Sequence, residues 1–169
     1  MSLWIGETMD ISRKTDYALR MLAVLVAHKD GIVSVKNAAE VCGVPYSFAR
    51  SIQHDLVSAG MIDSLRGSRG GMRLAVDPDK ITLLEVIEAV QGPITIADCH
   101  CIGLGGGPCE RRDGCAYFSV WNSATLLLNT YFSSVSLSEV VWRSKDPALP
   151  MPYAAELGLV EEVPIAKEA

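Results

Sequence analysis

The stretch that decides the fold is SVKNAAEVCGVPYSFARSIQHDLVSA, residues 34–59, which predicts two short helices separated by a tight turn. The first helix, 34–42, ends at Gly43, the residue type that most often follows a helix C-terminus. Pro45 suits the first turn of the next helix, 45–59, because its fixed φ matches that position. Two short helices joined by a glycine-containing turn are typical of a helix-turn-helix.

A basic β-hairpin is predicted directly after this unit. MIDSLR (61–66) and MRLAV (72–76) flank the loop GSRGG, whose glycines permit the positive φ of a tight turn. Apolar residues at helical spacing predict further helices at 13–28, 82–91 and 116–133, with a short last turn at 136–143. The order helix, turn, helix, hairpin is that of a winged helix. The predicted fold class is therefore mainly α with a small β-hairpin wing.

The helix 45–59 has two faces on a helical wheel. One face is apolar and is expected in the core; it comprises Phe48, Ala49, Ile52, Leu56 and Ala59. The opposite face carries Ser47, Arg50 and His54, with Tyr46 at its margin. Such a helix fits the DNA major groove, where Arg50 could pair with guanine and Tyr46 and Ser47 with phosphate. Taken alone, a merely solvated helix face explains the pattern equally well.

The hairpin favours the DNA-binding interpretation. Its loop region carries Arg66, Arg69 and Arg73 with no acidic residue between them, and arginines inserted into a narrow minor groove read DNA shape. The net charge of −5 argues against nucleic acid, but its distribution does not. Residues 10–75 carry nine Lys/Arg and six Asp/Glu, whereas residues 76–169 carry six and thirteen. A basic front half and an acidic back half predict two tasks on one chain.

Four of the five cysteines lie in DCHCIGLGGGPCERRDGC, residues 98–115, with the spacing C-x-C-x7-C-x5-C. Paired C-x2–4-C knuckles are absent, which disfavours zinc, and no secretory signal is present, which disfavours disulfides. Irregular spacing in a glycine-rich loop suits an iron–sulfur cluster, since such a loop can wrap the cluster with thiolates. Zinc, disulfides and incidental cysteines remain alternatives. The fifth, Cys42, is expected to be a small core residue.

The chain resembles the Rrf2 family of bacterial winged-helix regulators, which includes the iron–sulfur regulator IscR and the nitric-oxide sensor NsrR. The segments that carry the resemblance are ISRKTDYALRMLAVL (11–25), AAEVCGVPYSFARSIQHDLVSAGMI (38–62), SLRGSRGGMRLA (64–75), ITLLEVIEAVQGPI (81–94), the cysteine loop before a helix with Trp121, and SLSEVV (136–141). The resemblance implies a cytoplasmic, homodimeric regulator of transcription, most simply a repressor, that binds double-stranded DNA. It implies neither an enzyme nor a membrane protein.

The resemblance also implies a cluster site, either 4Fe–4S or 2Fe–2S. Cys101, Cys109 and Cys115 match the three loop ligands, although the loop is longer than usual and Cys99 competes for the first place. The histidine of IscR-like members is replaced by Phe118. Asp16 matches the aspartate that the partner subunit contributes in NsrR-like members; Cys99, His100 or no residue are the alternatives. A helix N-terminal acid with no ligand role would also explain Asp16.

The remaining expectations concern the layout of the chain and its partner surface. Residues 1–8 are read as an extension or cloning remnant, 9–80 as the winged helix-turn-helix, 81–144 as the cysteine loop and dimerisation helices, and 145–169 as a loosely ordered tail. By resemblance, the apolar stripe on helix 116–133 forms the dimer interface; an ordinary intramolecular core is the alternative. Its residues are Val120, Ala124, Leu127, Leu128 and Tyr131.

Two other functions remain open. One is a cluster-free or zinc-stabilised winged-helix regulator controlled by a protein partner. The other is a thiol oxidoreductase built on the Cys-His-Cys sequence at 99–101, although no motif positions a base to activate the thiol and the DNA-binding half would be unexplained.

Overall fold

The described residues fold as a helical unit with one β-hairpin inserted after the third helix. The structure is a computed structural model that describes residues 10–29, 31–67, 70–97 and 114–143. Its elements are α1 (Arg13–Ala27), α2 (Val35–Cys42), α3 (Tyr46–Ser58), β1 (Ile62–Leu65), β2 (Gly71–Leu74), α4 (Leu83–Gln91), α5 (Phe118–Ser134) and α6 (Leu137–Arg143). The predicted mainly α fold with a β-hairpin wing is confirmed.

The first helix forms the centre of the core. Its fully buried apolar side chains are Ala18, Met21, Leu22 and Leu25, which follow the i, i+3, i+4, i+7 spacing of one helical face. Leu19 and Val26, which lie beside this face, are only half-buried. The buried face of α1 contacts α2, α3, α4 and α6.

Fewer of the apolar side chains of α3 are buried than the sequence predicts. Ala49, Ile52 and Leu56 are fully buried, as expected. Phe48 is 44% exposed, and Ala59 is exposed at the C-cap, so the prediction that both belong to the core is wrong. Phe48 lies at the edge of the buried face, where its ring meets that of Tyr17 edge-on at a centroid distance of 6.0 Å. Phe48 is therefore stabilised by contact with another aromatic ring at the edge of the core, and not by full burial.

The hairpin packs on α3 and is extended by a segment before α2. Ile62, Asp63, Ser64 and Leu65 pair antiparallel with Leu74, Arg73, Met72 and Gly71. Val33 forms a further bridge to Met72, with two backbone hydrogen bonds of 2.9 and 2.7 Å. A Cβ at Gly71 would lie 2.6 Å from the carbonyl oxygen of Val33, so only glycine allows this close approach.

The back half attaches to the core through α4 and α6. A capping box of Thr82 and Glu85 starts α4, and Val86 and Ile87 bury its inner face. Backbone hydrogen bonds from Leu83 to Val135 and from Leu137 to Ile81 fix the start of α6 beside the start of α4. Between these elements, α5 packs on α4 but buries none of its residues.

Candidate DNA interface and cysteine site

The N-terminus of α3 is open to solvent and lacks a side-chain cap. Serine or threonine hydroxyls cap α1, α2 and α4, but Pro45 precedes α3 and offers no capping hydrogen bond. The first-turn N–H groups of α3 therefore have no side-chain acceptor, and a helix N-terminus in that state favours a phosphate oxygen. The residues of this helix that are predicted to reach DNA are all exposed: Tyr46, Ser47, Arg50 and His54.

One of these side chains, that of Arg50, is held in place by a buried glutamine. Arg50 donates from Nη1 to Oε1 of Gln53 at 3.0 Å, and Gln53 donates from Nε2 to Oγ of Ser64 on β1 at 2.9 Å. Gln53 is only 7% exposed, although its polar side chain predicts a surface position. In the sequence, only the i, i+3 spacing of Arg50 and Gln53 indicates part of this contact.

The wing presents fewer unpaired charges than its sequence indicates. Arg66 is exposed at the end of β1, whereas Arg69 lies outside the described residues. Arg73 is paired across the hairpin with Asp63, through Nε at 3.0 Å and Nη2 at 2.9 Å to the same carboxylate oxygen. The acid was missed because it lies ahead of the arginine-rich segment in sequence but opposite Arg73 in register. At Gly67 the backbone has a φ of 108°, as predicted for a turn glycine.

Asp16 lies on the first turn of α1 and points away from the core. Its side chain is 47% exposed and forms an i, i+4 ion pair of 2.7 Å with Arg20. An exposed pair of this kind contributes little free energy, about 0.5 kcal/mol, so the carboxylate can be released at low cost. The helix itself contacts α3 through an ion pair between Lys14 and Asp55 and through the Tyr17–Phe48 ring contact.

A glutamine at the end of α4 holds the start of α1. Oε1 of Gln91 accepts hydrogen bonds from the Ser12 backbone N–H at 2.9 Å and from the Thr15 hydroxyl at 2.7 Å. Its Nε2 donates to the carbonyl of Asp10 at 3.3 Å. Thr15 is completely buried, and its hydroxyl is bonded both to this glutamine and to Oγ of Ser12 at 2.9 Å. Gln91 was not among the predicted site residues.

Of the predicted loop ligands, the structure describes only Cys115. This cysteine is half-buried, is not in a disulfide, and lies shortly before α5. Cys99, Cys101, Cys109 and the alternative His100 lie outside the described residues. Within the described ranges, no group of three or more His, Cys, Asp or Glu side chains could hold a metal ion. The two described donors, the Cys115 thiol and the Asp16 carboxylate, are both accessible and chemically suited to iron.

Cys42 differs from the loop cysteine in its surroundings. It is half-buried against the hydrophobic core at the end of α2. Burial raises the pKa of its thiol, and the nearby Arg20 charge opposes this only in part. The thiol therefore stays protonated near neutral pH. The prediction that Cys42 is a core residue is confirmed only in part, because it packs at the edge of the core and stays half-buried.

The predicted dimer stripe on α5 is only partly covered by the described parts of the chain. Val120 and Leu127 are 53% and 66% exposed, and Ala124, Leu128 and Tyr131 are half-buried. Tyr117, Trp121 and Leu126 add further exposed apolar surface to the same helix. Neighbouring exposed apolar side chains are a common feature of protein–protein contact surfaces.

Comparison with known proteins identifies the family. The family model Rrf2, described as an iron-dependent transcriptional regulator, matches residues 11–143. The chain belongs to the Rrf2 family. Its relatives are transcriptional regulators, which confirms the prediction that it is not an enzyme. Regulation of transcription is the function that the family description gives.

Three matches illustrate the range of this similarity. The HTH-type transcriptional regulator NsrR of Shouchella clausii is 32% identical over 92 residues, or 54% of this chain and 62% of that protein. The HTH-type transcriptional regulator IscR of Aliivibrio salmonicida is 28% identical over 134 residues, or 79% and 77% of the two chains. The solved structure of CymR, the global cysteine regulator of B. subtilis, has a TM-score of 0.62 at 24% identity and covers 78% of this chain and 95% of its own.

These matches differ in what they establish for this Rrf2 protein. The chain spans less than two thirds of the length of the NsrR relative, and the likeness to CymR shows the fold alone. None of the described helices is both long and apolar enough to cross a membrane. The family and fold are therefore established, and the assignment of individual residues to DNA, partner or cofactor is taken up below.

Proposed function

We propose that this Rrf2 protein is a cytoplasmic, homodimeric repressor of transcription that reads double-stranded DNA with α3 and the wing. The observation that carries this proposal is the open N-terminus of α3, with Ser47 and Arg50 exposed beside the hairpin. Phosphate oxygens would accept from the uncapped N–H groups and from Tyr46 and Ser47, while Arg50 and His54 would reach base edges. Arg66 and Arg69 of the wing would follow the adjacent minor groove.

Arg73 has a smaller role in this proposal than its sequence position indicates. Its guanidinium is already bound to Asp63, so it would stiffen the wing more than it would neutralise phosphate. Substituting it would therefore reduce the salt dependence of DNA binding less than substituting Arg66 does.

The second copy of the chain would pack on α5. The stripe of Val120, Ala124, Leu127, Leu128 and Tyr131 is the surface for that contact, and its exposure supports the proposal. A two-fold axis along α5 would present two α3 helices to half-sites related by the same symmetry. Half-sites would then be separated by about one helical turn of DNA, or a multiple of it.

An iron–sulfur cluster, of the 4Fe–4S or 2Fe–2S type, would be the sensing group. Cys101, Cys109 and Cys115 would supply thiolates, and Asp16 of the other subunit would supply the fourth ligand; Cys99 is the alternative. A bound cluster would make the protein responsive to nitric oxide, to oxidants or to the supply of iron. The accessible Asp16 carboxylate, tied only to Arg20 by an exposed ion pair, supports its role as a ligand in trans.

Contacts of α1 offer a route from this site to DNA. Gln91 holds the start of α1, and α1 contacts α3 through the Lys14–Asp55 and Tyr17–Phe48 pairs. Release of Asp16 would free the first turn of α1 and alter how α3 is supported. A coupling free energy of about 1–3 kcal/mol between the two sites would suffice for a switch.

The test is anaerobic purification followed by DNA binding before and after the cluster is removed and rebuilt. We expect a coloured, iron-containing dimer whose affinity for its selected DNA changes by about 5–150-fold between the two forms. Asp16→Ala should lose cluster, and Cys99→Ser should retain it; the reverse pattern would identify Cys99 as the fourth ligand. A colourless protein with stoichiometric zinc, or with no metal, and unchanged binding would instead select the cluster-free regulator controlled by a protein partner.

A further inference from the structure

The buried amide of Gln53 connects the two elements that face DNA. It accepts from Arg50 on α3 and donates to Ser64 on β1, so a single side chain bridges the reading helix and the wing. With 7% of its surface exposed, Gln53 is too deeply placed to reach DNA itself. Both of its partners are exposed residues.

The chemistry of the three groups fixes the direction of every hydrogen bond. A guanidinium can only donate, so the oxygen of the Gln53 amide must face Arg50. Its nitrogen then faces Ser64, whose oxygen must accept. The hydroxyl hydrogen of Ser64 is consequently left to donate elsewhere, and Ser64 lies at the surface. A DNA phosphate oxygen is an acceptor of the required kind.

The bond to Gln53 also restricts Arg50 before any DNA arrives. A free arginine loses much rotamer entropy when it forms a paired contact, and fixing the guanidinium beforehand reduces that loss. Since Nη1 is held by Gln53, the orientation of the remaining N–H donors is defined. Bidentate recognition of guanine depends on that orientation, because the two donors must match O6 and N7 together.

We propose that Gln53 is a positioning residue that determines the base selectivity of Arg50 and aligns the wing, through Ser64, with the reading helix. Ser64 then adds a sequence-independent phosphate contact. This inference rests on the proposed function, in which Arg50 reads a base.

The experiment compares variants on two DNA probes. The first is a duplex selected from a random-sequence library by the wild-type dimer, with a panel of single-base-pair changes; the second is a scrambled duplex of equal length. Gln53→Met keeps the side-chain volume but removes both hydrogen bonds. We expect its affinity for the selected duplex to fall roughly tenfold, as for partial loss of one arginine–guanine pair, with affinity for the scrambled duplex nearly unchanged.

The pattern of selectivity separates positioning from a general loss of structure. Gln53→Met should relax discrimination at the same base pair as Arg50→Ala, and the double variant should lose no more selectivity than Arg50→Ala alone. Gln53→Glu, which still accepts from Arg50 and from the Ser64 hydroxyl, should retain discrimination. Ile52→Val, a neighbouring core change outside the network, is the matched control and should leave selectivity unchanged.

Different outcomes test the role of Arg50 as a base reader and the role of Gln53 as a positioning residue. If Arg50→Ala leaves selectivity intact, the assignment of Arg50 as a base reader fails. If Arg50→Ala relaxes selectivity but Gln53→Met does not, or if their effects add, only the positioning role of Gln53 is overturned. Should Gln53→Met not fold, Ser64→Ala gives the second test: affinity for both duplexes should fall by a similar small factor, and an unchanged affinity would contradict the phosphate contact.

Discussion

The front and back halves of this Rrf2 protein differ in how fully they bury their apolar side chains. In the front half, Leu22, Ile52 and Leu56 are entirely buried within one chain, and the exposed residues are mostly polar. In the back half, α5 buries no residue and exposes Leu126 and Leu127 at 63% and 66%. The front half therefore lies in the main hydrophobic core, which Ile81, Val86 and Leu137 of the back half complete, whereas α5 leaves apolar side chains exposed among the described residues. In the proposed function, the first unit would read DNA and α5 would bring two such units together.

The largest expected effect comes from disrupting the proposed dimer interface on α5. Leu127→Glu places a charge in the proposed interface, where it would be desolvated without a counter-charge. We expect light scattering to show a monomer at concentrations where the wild type is a dimer. Apparent DNA affinity should fall about 100-fold or more because two linked reading heads are lost.

Val41→Glu is the matched control for this change. Val41 is 67% exposed on α2, nearly the same as Leu127, but lies on another element. The variant should remain dimeric. If Leu127→Glu also remains dimeric, α5 is not the interface.

A core truncation in the front half should affect stability instead of assembly. Ile52→Ala removes a completely buried side chain and should lower the free energy of unfolding by about 2–5 kcal/mol. Leu126→Ala, at a position 63% exposed, should change the stability of the monomer by no more than about 0.5 kcal/mol. Denaturant unfolding in the Leu127→Glu background measures both without interference from dimerisation, and equal losses would contradict the comparison.

The link between the halves should give a smaller, local effect. Gln91→Met removes one of the two partners of the buried Thr15 hydroxyl, leaving its 2.9 Å contact with Ser12 Oγ, and should lower the free energy of unfolding by about 1 kcal/mol. Hydrogen exchange should accelerate in the first turn of α1 and remain unchanged in α3. Gln91→Glu keeps the acceptor for Ser12 and Thr15 and should preserve most of the protection; comparable loss in both variants would show that the acceptor is not what holds α1.

The smallest expected effect is an alkaline loss of stability due to Cys42. Because burial raises the pKa of this thiol, the folded state holds the proton more tightly than the unfolded state. Its contribution is complete below the unfolded pKa of about 8.5 and is lost as the pH rises through the higher folded value. Unfolding experiments from pH 7 to 10 should show a shallower decline for Cys42→Ala than for the wild type. Parallel declines would exclude this origin.

Local sequence patterns predicted the elements of the fold well. The helix-ending Gly43 and the turn glycine Gly67 are short-range signals, and each occurs where it was expected. The exposed face of α3 was also predicted, because the polar face of an amphipathic helix is visible in its spacing. The family was identified from the combination of these segments, and the comparisons confirm it.

Tertiary relationships were the part that the sequence did not reveal. Phe48 was assigned to the core because periodicity cannot show where a neighbouring helix ends, and it instead meets Tyr17 at the rim. Asp63 neutralises Arg73 only because of the hairpin register. Gln91 bonds to Thr15, 76 residues away, and Gln53 bonds to Ser64 on the next element, so helical periodicity could not identify either contact. The ligand roles of Cys101, Cys109, Cys115 and Asp16 stay predictions.

The most direct test of the central claim is complementation between two inactive subunits. Asp16→Ala and Cys115→Ser homodimers should each lack clusters, since every site loses one ligand. In the mixed dimer, the intact loop of one subunit faces the intact Asp16 of the other, so one complete site forms. We predict that iron and visible absorbance of the purified mixed dimer return to about half of the wild-type content, as one restored site in two requires. A mixed dimer without cluster, or an Asp16→Ala homodimer that retains it, would contradict a site shared between two copies of this chain.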